Sequence, residues 1–94
     1  MKRTIQGFRY DTDKAKSICK FDNGLSDDFS FISATIYKTV RSGHYFLAGE
    51  GGSLTVFSNH DVKGNRQKGE KIIPISEKDA LKIISQVKKY RNEL

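Results

Sequence analysis

The sequence predicts an α+β domain: an antiparallel sheet of about four to five strands with one C-terminal helix packed on one face. Two observations indicate this. The side chains of residues 31–40 alternate with the two-residue period of a strand, and the chain turns back at Arg41-Ser42-Gly43. After Ser76, apolar residues recur at helical spacing. Several strands followed by one amphipathic helix are typical of a two-layer domain.

The first two predicted strands lie near the start of the chain. Residues 4–10 are rich in β-branched and aromatic side chains and predict the first strand. Residues 11–14 have turn chemistry. Residues 15–21 predict a second strand, antiparallel to the first, with a short helix from Thr12 as the alternative. The triplet at residues 22–24 is a further turn signal.

The middle of the chain predicts a hairpin flanked by loops. Residues 25–31 form a polar loop that Phe29 and Phe31 are expected to pin to the core. Residues 31–40 are the clearest strand, and residues 44–48 return beside it. The glycines at 49, 51 and 52 predict a bulge or tight loop that ends this hairpin, with an anion-binding backbone nest as the alternative. Residues 54–58 fit either a short strand or the start of a helical turn.

The last third predicts a loop, a strand and a helix. Residues 59–69 lack apolar periodicity and predict an exposed, mobile loop. Residues 71–75 predict a final strand that either lies at a sheet edge or ends near Pro74, because Pro74 cannot donate a ladder hydrogen bond. Ser76 is a suitable helix N-cap. The helix presents an apolar stripe at Ala80, Ile83, Ile84, Val87 and Tyr90.

Size and composition indicate one domain. The chain has 94 residues, enough for a single domain, 1–94, with one modest core. The lone cysteine, Cys19, allows no intramolecular disulfide, and we expect it to be a buried small apolar residue rather than a nucleophile. No apolar signal-peptide segment or membrane-length run is present, so we expect a cytoplasmic protein with no membrane partner. We expect no cofactor and no bound metal; a monomer and a dimer remain open.

The charge is compatible with a polyanionic partner. Lys and Arg number 17 against 11 Asp and Glu, which gives a net charge of +6. Such an excess also serves solubility alone. The basic residues are spread over both halves of the chain, which does not predict a dedicated basic arm.

Candidate partner-binding residues are charged or aromatic and fall on the hairpin, the loop and the helix. Aromatic side chains beside basic ones are typical of base stacking, although cross-strand packing is the more ordinary role. Basic side chains on a loop and on one helix face are suited to phosphate contacts. The candidates are Tyr37, Tyr45, Glu50, Lys63, Arg66, Lys68, Lys78, Lys82 and Lys89.

Two catalytic or metal alternatives use the histidines. A small ribonuclease would combine His44 with Glu50 and a lysine as acid, base and phosphate clamp. These residue types have no diagnostic spacing here. A metal pair at His60 and Asp61 lacks a second ligand set.

Short segments along most of the chain carry a resemblance to a known group of proteins. They are residues 7–12, residues 36–39, Gly43 with residues 45–47, residues 49–52, and residues 72–76 with Ala80. With these segments the chain resembles small proteins of phages and integrated elements of Gram-positive bacteria, some of which are similar to anti-CRISPR proteins that disable the type II effector nuclease. The resemblance implies a protein or ribonucleoprotein effector complex as partner and assigns no functional residues.

The resulting expectation is a non-enzymatic interaction protein, an anti-CRISPR inhibitor of a type II effector or its guide RNA. Two alternatives stay open. One is a nucleic-acid-binding module or regulator, and the other is a small ribonuclease-like enzyme.

Overall fold

The chain forms eight strands and one helix in a computed structural model that describes residues 1–25 and 27–92, with side chains up to residue 89. In chain order the elements are β1 Lys2–Ile5, β2 Phe8–Asp11, β3 Lys16–Asp22, β4 Ile32–Lys38, β5 Tyr45–Gly51, β6 Asn59–His60, β7 Arg66–Gln67, β8 Gly69–Ile75 and α1 Glu77–Asn92.

Four strands make the central sheet, which is antiparallel throughout and has the order β3-β4-β5-β8. The remaining strands form two separate two-stranded ribbons, β1-β2 and β6-β7. The α+β prediction is therefore confirmed. Strand β8 lies at an edge of the sheet, the first of the two arrangements that Pro74 predicts, because its outer side needs no ladder partner.

Helix α1 covers one side of the central sheet, here called the helix face. Ile36 and Leu47 are opposite each other in the β4–β5 register and pack with the fully buried Ala80 of the helix. Ser76 caps the helix as expected: its Oγ accepts a hydrogen bond from the Asp79 N–H at 3.1 Å. Ile83 and Ile84 pack against the same cluster. The Tyr90 side chain, expected in this stripe, lies outside the described residues.

The opposite side of the sheet, here called the hairpin face, is covered by the β1–β2 ribbon. Tyr10 packs edge-on against Phe46, with ring centroids 5.3 Å apart, and shares a second core cluster with Ala48 and Ile72. The sheet therefore has a layer on each face, where the sequence predicted a helix on one face alone.

The prediction of one strand over residues 4–10 is wrong, because the chain reverses at Gln6-Gly7. Both residues have positive φ, 51° and 82°, and Ile5 pairs directly with Phe8. This is the geometry of a two-residue hairpin turn, for which Asn-Gly is the usual sequence signal. Glutamine rarely adopts positive φ, so the sequence at Gln6-Gly7 does not predict this turn.

Strand β3 has a different partner from the one predicted. Residues 16–22 are a strand, but they pair with β4 rather than with the first strand, and the register shifts between Ser17 and Cys19. The shift leaves Ile18 partly exposed at the sheet edge. Cys19 is half-buried and packs against the helix-face cluster.

The structure corrects one loop prediction and refines two others. Phe31 is half-buried, but Phe29 is 62% exposed and does not pin its loop to the core. Residues 54–58 are turns closed by the bonds Thr55 N to Gly52 O and Ser58 N to Thr55 O, which matches the helical-turn alternative more closely than a strand. Residues 59–68 are exposed as expected, yet they contain the short β6–β7 ribbon, and Gly69 is half-buried at the start of β8.

The glycine cluster lies mostly inside β5 and forms no bulge, since the register with both neighbouring strands is continuous. It allows close approach. A Cβ on Gly49 would lie 2.6 Å from Ala34 Cα and would clash with the Ser33 carbonyl oxygen. A Cβ on Gly52 would collide with the Phe29 carbonyl. The glycines therefore let β4 and the loop before it lie directly against β5 and the residue that follows it.

Replacing Gly49 by alanine should lower the free energy of unfolding by about 1–3 kcal/mol, because the new methyl group meets backbone that cannot rotate away. Urea denaturation followed by circular dichroism measures the loss. Val62→Ala, at a fully exposed position, is the control and should change stability by less than about 0.5 kcal/mol. A Gly49→Ala protein as stable as wild type would contradict this packing.

Candidate partner-binding surface

Three lysines form a stripe on the outer side of α1, here called the lysine stripe: Lys78, Lys82 and Lys89. At 3.6 residues per turn they lie within about 40° of one another around the helix axis, and they span about 16 Å along it. All three are exposed. The spacing places three positive charges on one line of the surface.

The buried side of α1 fixes the direction of this stripe. Ala80 has no exposed surface, and Ile83, Ile84 and Val87 are half-buried on the same side. The lysine stripe is on the opposite side of the helix. Within residues 1–25 and 27–92, its ammonium groups take part in no ion pair. Their charge is therefore directed to solvent.

The β6–β7 ribbon holds the other predicted basic residues, which the structure gives different roles. Lys63 and Lys68 are exposed. Arg66 donates from its guanidinium to the Ser58 Oγ at 3.0 Å and to the Thr55 carbonyl at 3.3 Å. Arg66 therefore ties the ribbon to the turn at residues 52–58, a structural role that sequence reasoning did not identify.

Asp61 organises the tip of that ribbon. Its Oδ1 accepts hydrogen bonds from the backbone N–H groups of Asn65, at 3.0 Å, and Lys63, at 2.9 Å. The Asn65 bond is the main reason that the pKa of Asp61 lies below its ordinary value. The carboxylate proposed to pair with His60 on a metal thus caps its own loop. Among the described residues, no three His, Cys, Asp or Glu side chains are grouped to hold a metal ion.

The two candidate tyrosines lie on opposite faces of the central sheet. Tyr37 stacks on Phe46 on the hairpin face, with centroids 5.3 Å apart and ring planes 15° apart. Tyr45 packs on the helix face, where the Lys38 ammonium lies 5.3 Å from its ring centroid. Both are half-buried. The structure therefore does not bring them together as one stacking platform.

Glu50 is exposed on the hairpin face, directly opposite Glu70 of β8. Both carboxylates line an open groove of about 420 Å³, together with Met1, Ser33 and Thr35. Like charges opposite each other in a sheet repel, and the open groove leaves them hydrated.

His44 is remote from Glu50. It lies just before β5, with its ring 4.5 Å from that of Phe8, and Glu50 is six residues further along. At the rise of an extended strand this separation is about 20 Å. The acid–base pair of the ribonuclease alternative is therefore not assembled.

Sequence reasoning missed a group of exposed apolar side chains at one end of the sheet. They come from the loop before β4 and from the turn after β5, and they are Phe29, Leu54 and Val56. The signal in the sequence is that Phe29 directly follows two aspartates in a polar loop. Its residue type alone led us to expect that its side chain points into the core.

Comparison of the chain with protein-family models, with curated proteins and with solved structures found no match. The resemblance to phage and mobile-element proteins thus stays a prediction from the sequence. No helix within the described part of the chain is both long enough and apolar enough to cross a membrane.

Asp61 should titrate at lower pH in the folded protein than in the urea-unfolded chain, because folding supplies the backbone N–H donors that favour its charged form. A depressed folded pKa means that this contribution to stability is complete above the unfolded pKa and disappears as the pH falls through the folded pKa. Carbon-detected NMR titration of the Asp61 carboxyl measures both values. Equal values, or a higher folded one, would contradict the observed loop.

Proposed function

We propose that the protein acts by binding a polyanionic surface of a macromolecular partner through the lysine stripe, and that its partner is a ribonucleoprotein. The observation that carries this proposal is the alignment of Lys78, Lys82 and Lys89 on the solvent side of a helix whose other side is buried. The helix fixes the spacing of the backbone positions that carry these charges, so no backbone entropy is lost in aligning them when a partner binds.

The lysine stripe is suited to phosphates more than to a carboxylate pocket. Lysine presents a compact charge on a flexible stem and makes point contacts that do not depend on the geometry of the acceptor. A length of about 16 Å spans several phosphates of a nucleic-acid strand. Such contacts are insensitive to sequence, and their strength falls with salt because counterions are released on binding.

The most concrete form of the proposal is an anti-CRISPR inhibitor of a type II effector, as the sequence resemblance implies. In such effectors the guide–target duplex lies in a channel that is itself positively charged. A lysine-rich helix would be repelled by that channel when it is empty. It is suited instead to exposed phosphates of the guide RNA, where it would obstruct the complex without catalysis. A general nucleic-acid-binding module, without an effector partner, is the second candidate that the lysine stripe favours.

Reversing the charge of the lysine stripe should weaken RNA binding. The variant Lys78→Glu/Lys82→Glu/Lys89→Glu should bind a short single-stranded RNA at least about tenfold more weakly, and its affinity should fall less steeply with salt. Fluorescence anisotropy at several salt concentrations measures both effects.

The control has the same change in net charge on another surface: Lys2→Glu/Lys14→Glu/Lys16→Glu, three exposed lysines of the N-terminal region. It should retain most of the binding. If both triple variants lose affinity equally, net charge rather than the lysine stripe governs binding. If neither does, the lysine stripe is not the binding surface.

The inhibitor form is tested directly with purified components. Cleavage of target DNA by a type II effector with its guide should slow when the protein is added in excess, and the lysine-stripe variant should inhibit less than the Lys2/Lys14/Lys16 control. Undiminished cleavage by several type II effectors would contradict the inhibitor form. Retained RNA binding in that case would favour the general nucleic-acid-binding module.

A further inference from the structure

One end of the central sheet exposes a set of large apolar side chains, here called the end patch. Its members and their exposed fractions are Phe29 at 62%, Leu54 at 67% and Val56 at 66%. Single exposed apolar residues are ordinary on protein surfaces, whereas a group on adjoining segments is typical of an interaction site.

The two segments that carry the end patch are joined through their backbones. The Leu54 N–H donates to the Phe29 carbonyl at 2.9 Å, which places these two residues side by side. Gly52 lies against the same carbonyl and has no room for a side chain. The Phe29 N–H is in turn held by the Asp27 carboxylate at 3.0 Å. Hydrogen bonds at both its N–H and its carbonyl therefore hold the Phe29 backbone in place, while its side chain is exposed.

Two buried residues anchor the turn after β5, which carries the other part of the end patch. Leu54 and Val56 alternate with Thr55 and Phe57, which are 8% and 1% exposed. The Thr55 hydroxyl donates to the Gly52 carbonyl at 2.8 Å and accepts from the Phe57 N–H at 3.2 Å. The buried pair holds the turn while its two apolar neighbours face solvent. A preorganised apolar pair of this kind loses little entropy when a partner covers it.

The two segments that carry the end patch are acidic, although the whole chain is basic. Residues 22–31 and 50–58, which build the end patch, contain Asp22, Asp27, Asp28 and Glu50 and no lysine or arginine, although the chain has 17 such basic residues. The Arg66 guanidinium brings a positive charge to the base of the turn, where it donates to the Thr55 carbonyl. Lys68 directly precedes Gly69, which pairs with Gly51 at this end of the sheet. The outward rim beside Phe29 is acidic.

This combination selects among the possible occupants. Phosphates would be repelled by the aspartates, so a nucleic acid does not fit. A second copy related by two-fold symmetry would set these aspartates against their own equivalents. We propose that the end patch docks a basic segment of a partner protein, whose apolar side chains cover Phe29 and Leu54 while its lysines or arginines face Asp27 and Asp28.

The test uses a synthetic amphipathic helical peptide of leucine and lysine, and a second peptide in which glutamate replaces every lysine. Titrated into the ¹⁵N-labelled full chain, the lysine peptide should shift the amide signals of Phe29, Leu54 and Val56. The glutamate peptide should leave those signals in place. Equal shifts with both peptides, or none with the lysine peptide, would overturn the proposal.

Substitutions separate the apolar and the charged contributions. Phe29→Ser and Leu54→Ser should each weaken binding of the lysine peptide by about tenfold, the cost of losing one apolar anchor. Asp28→Lys should weaken it through charge alone. Val62→Ser, at an exposed valine on another loop, is the matched control and should have no effect.

Two further outcomes would assign the end patch to another occupant and overturn the proposal. One is self-association in sedimentation experiments that Phe29→Ser abolishes. The other is a shift of the end-patch amides on addition of RNA. In the lysine-stripe variant the lysine peptide should still shift the amide signals of Phe29, Leu54 and Val56, so failure of this proposal is distinct from failure of the RNA-binding one.

Discussion

Burial of strand β5 on both of its faces is the constraint on which the rest of the structure depends. Phe46, Leu47 and Ala48 are consecutive and all buried, at 0%, 8% and 7% exposure. Because neighbouring strand residues point to opposite faces, each face of the sheet needs a cover. Helix α1 covers Leu47, and the β1–β2 ribbon covers Phe46 and Ala48. Neither cover is dispensable, since either loss would expose half of a small core.

The parts of this fold that could be predicted from the sequence are those determined by nearby residues. The cap at Ser76 and the turn before Gly43 depend on side chains and φ values within a few positions, and both are as expected. The unbroken apolar run at residues 46–48 also carried a signal for two covered faces, since strands buried on both sides lack alternation. What covers the second face depends on contacts between distant segments, which local patterns do not encode.

The exposure of Phe29 and the contacts of Arg66 both involve a distant segment of the chain. Phe29 was expected inside because phenylalanine is usually buried, but the Gly52 backbone occupies the space beside its carbonyl and its side chain faces solvent. Arg66 is exposed, as its residue type indicates, and its guanidinium also donates to a carbonyl and a hydroxyl of the preceding turn. In both cases the contacts join segments that are distant in sequence, and local patterns do not encode such contacts. The basic face of the helix could be predicted from the sequence, because the apolar stripe of the same helix sets its orientation. The end patch could not be predicted in this way.

The two proposed surfaces differ in chemistry, and that difference restricts any partner that engages both. The lysine stripe favours negative charge, and the end patch favours apolar groups with positive charge around them. A bare nucleic acid satisfies the first surface and is repelled by the second. A basic protein alone does the reverse. A complex of RNA with a basic RNA-binding protein presents both kinds of surface, and simultaneous engagement would raise the overall affinity above that of either contact by effective concentration. A ribonucleoprotein would thus satisfy both proposed surfaces, whereas either component alone would satisfy only one of them.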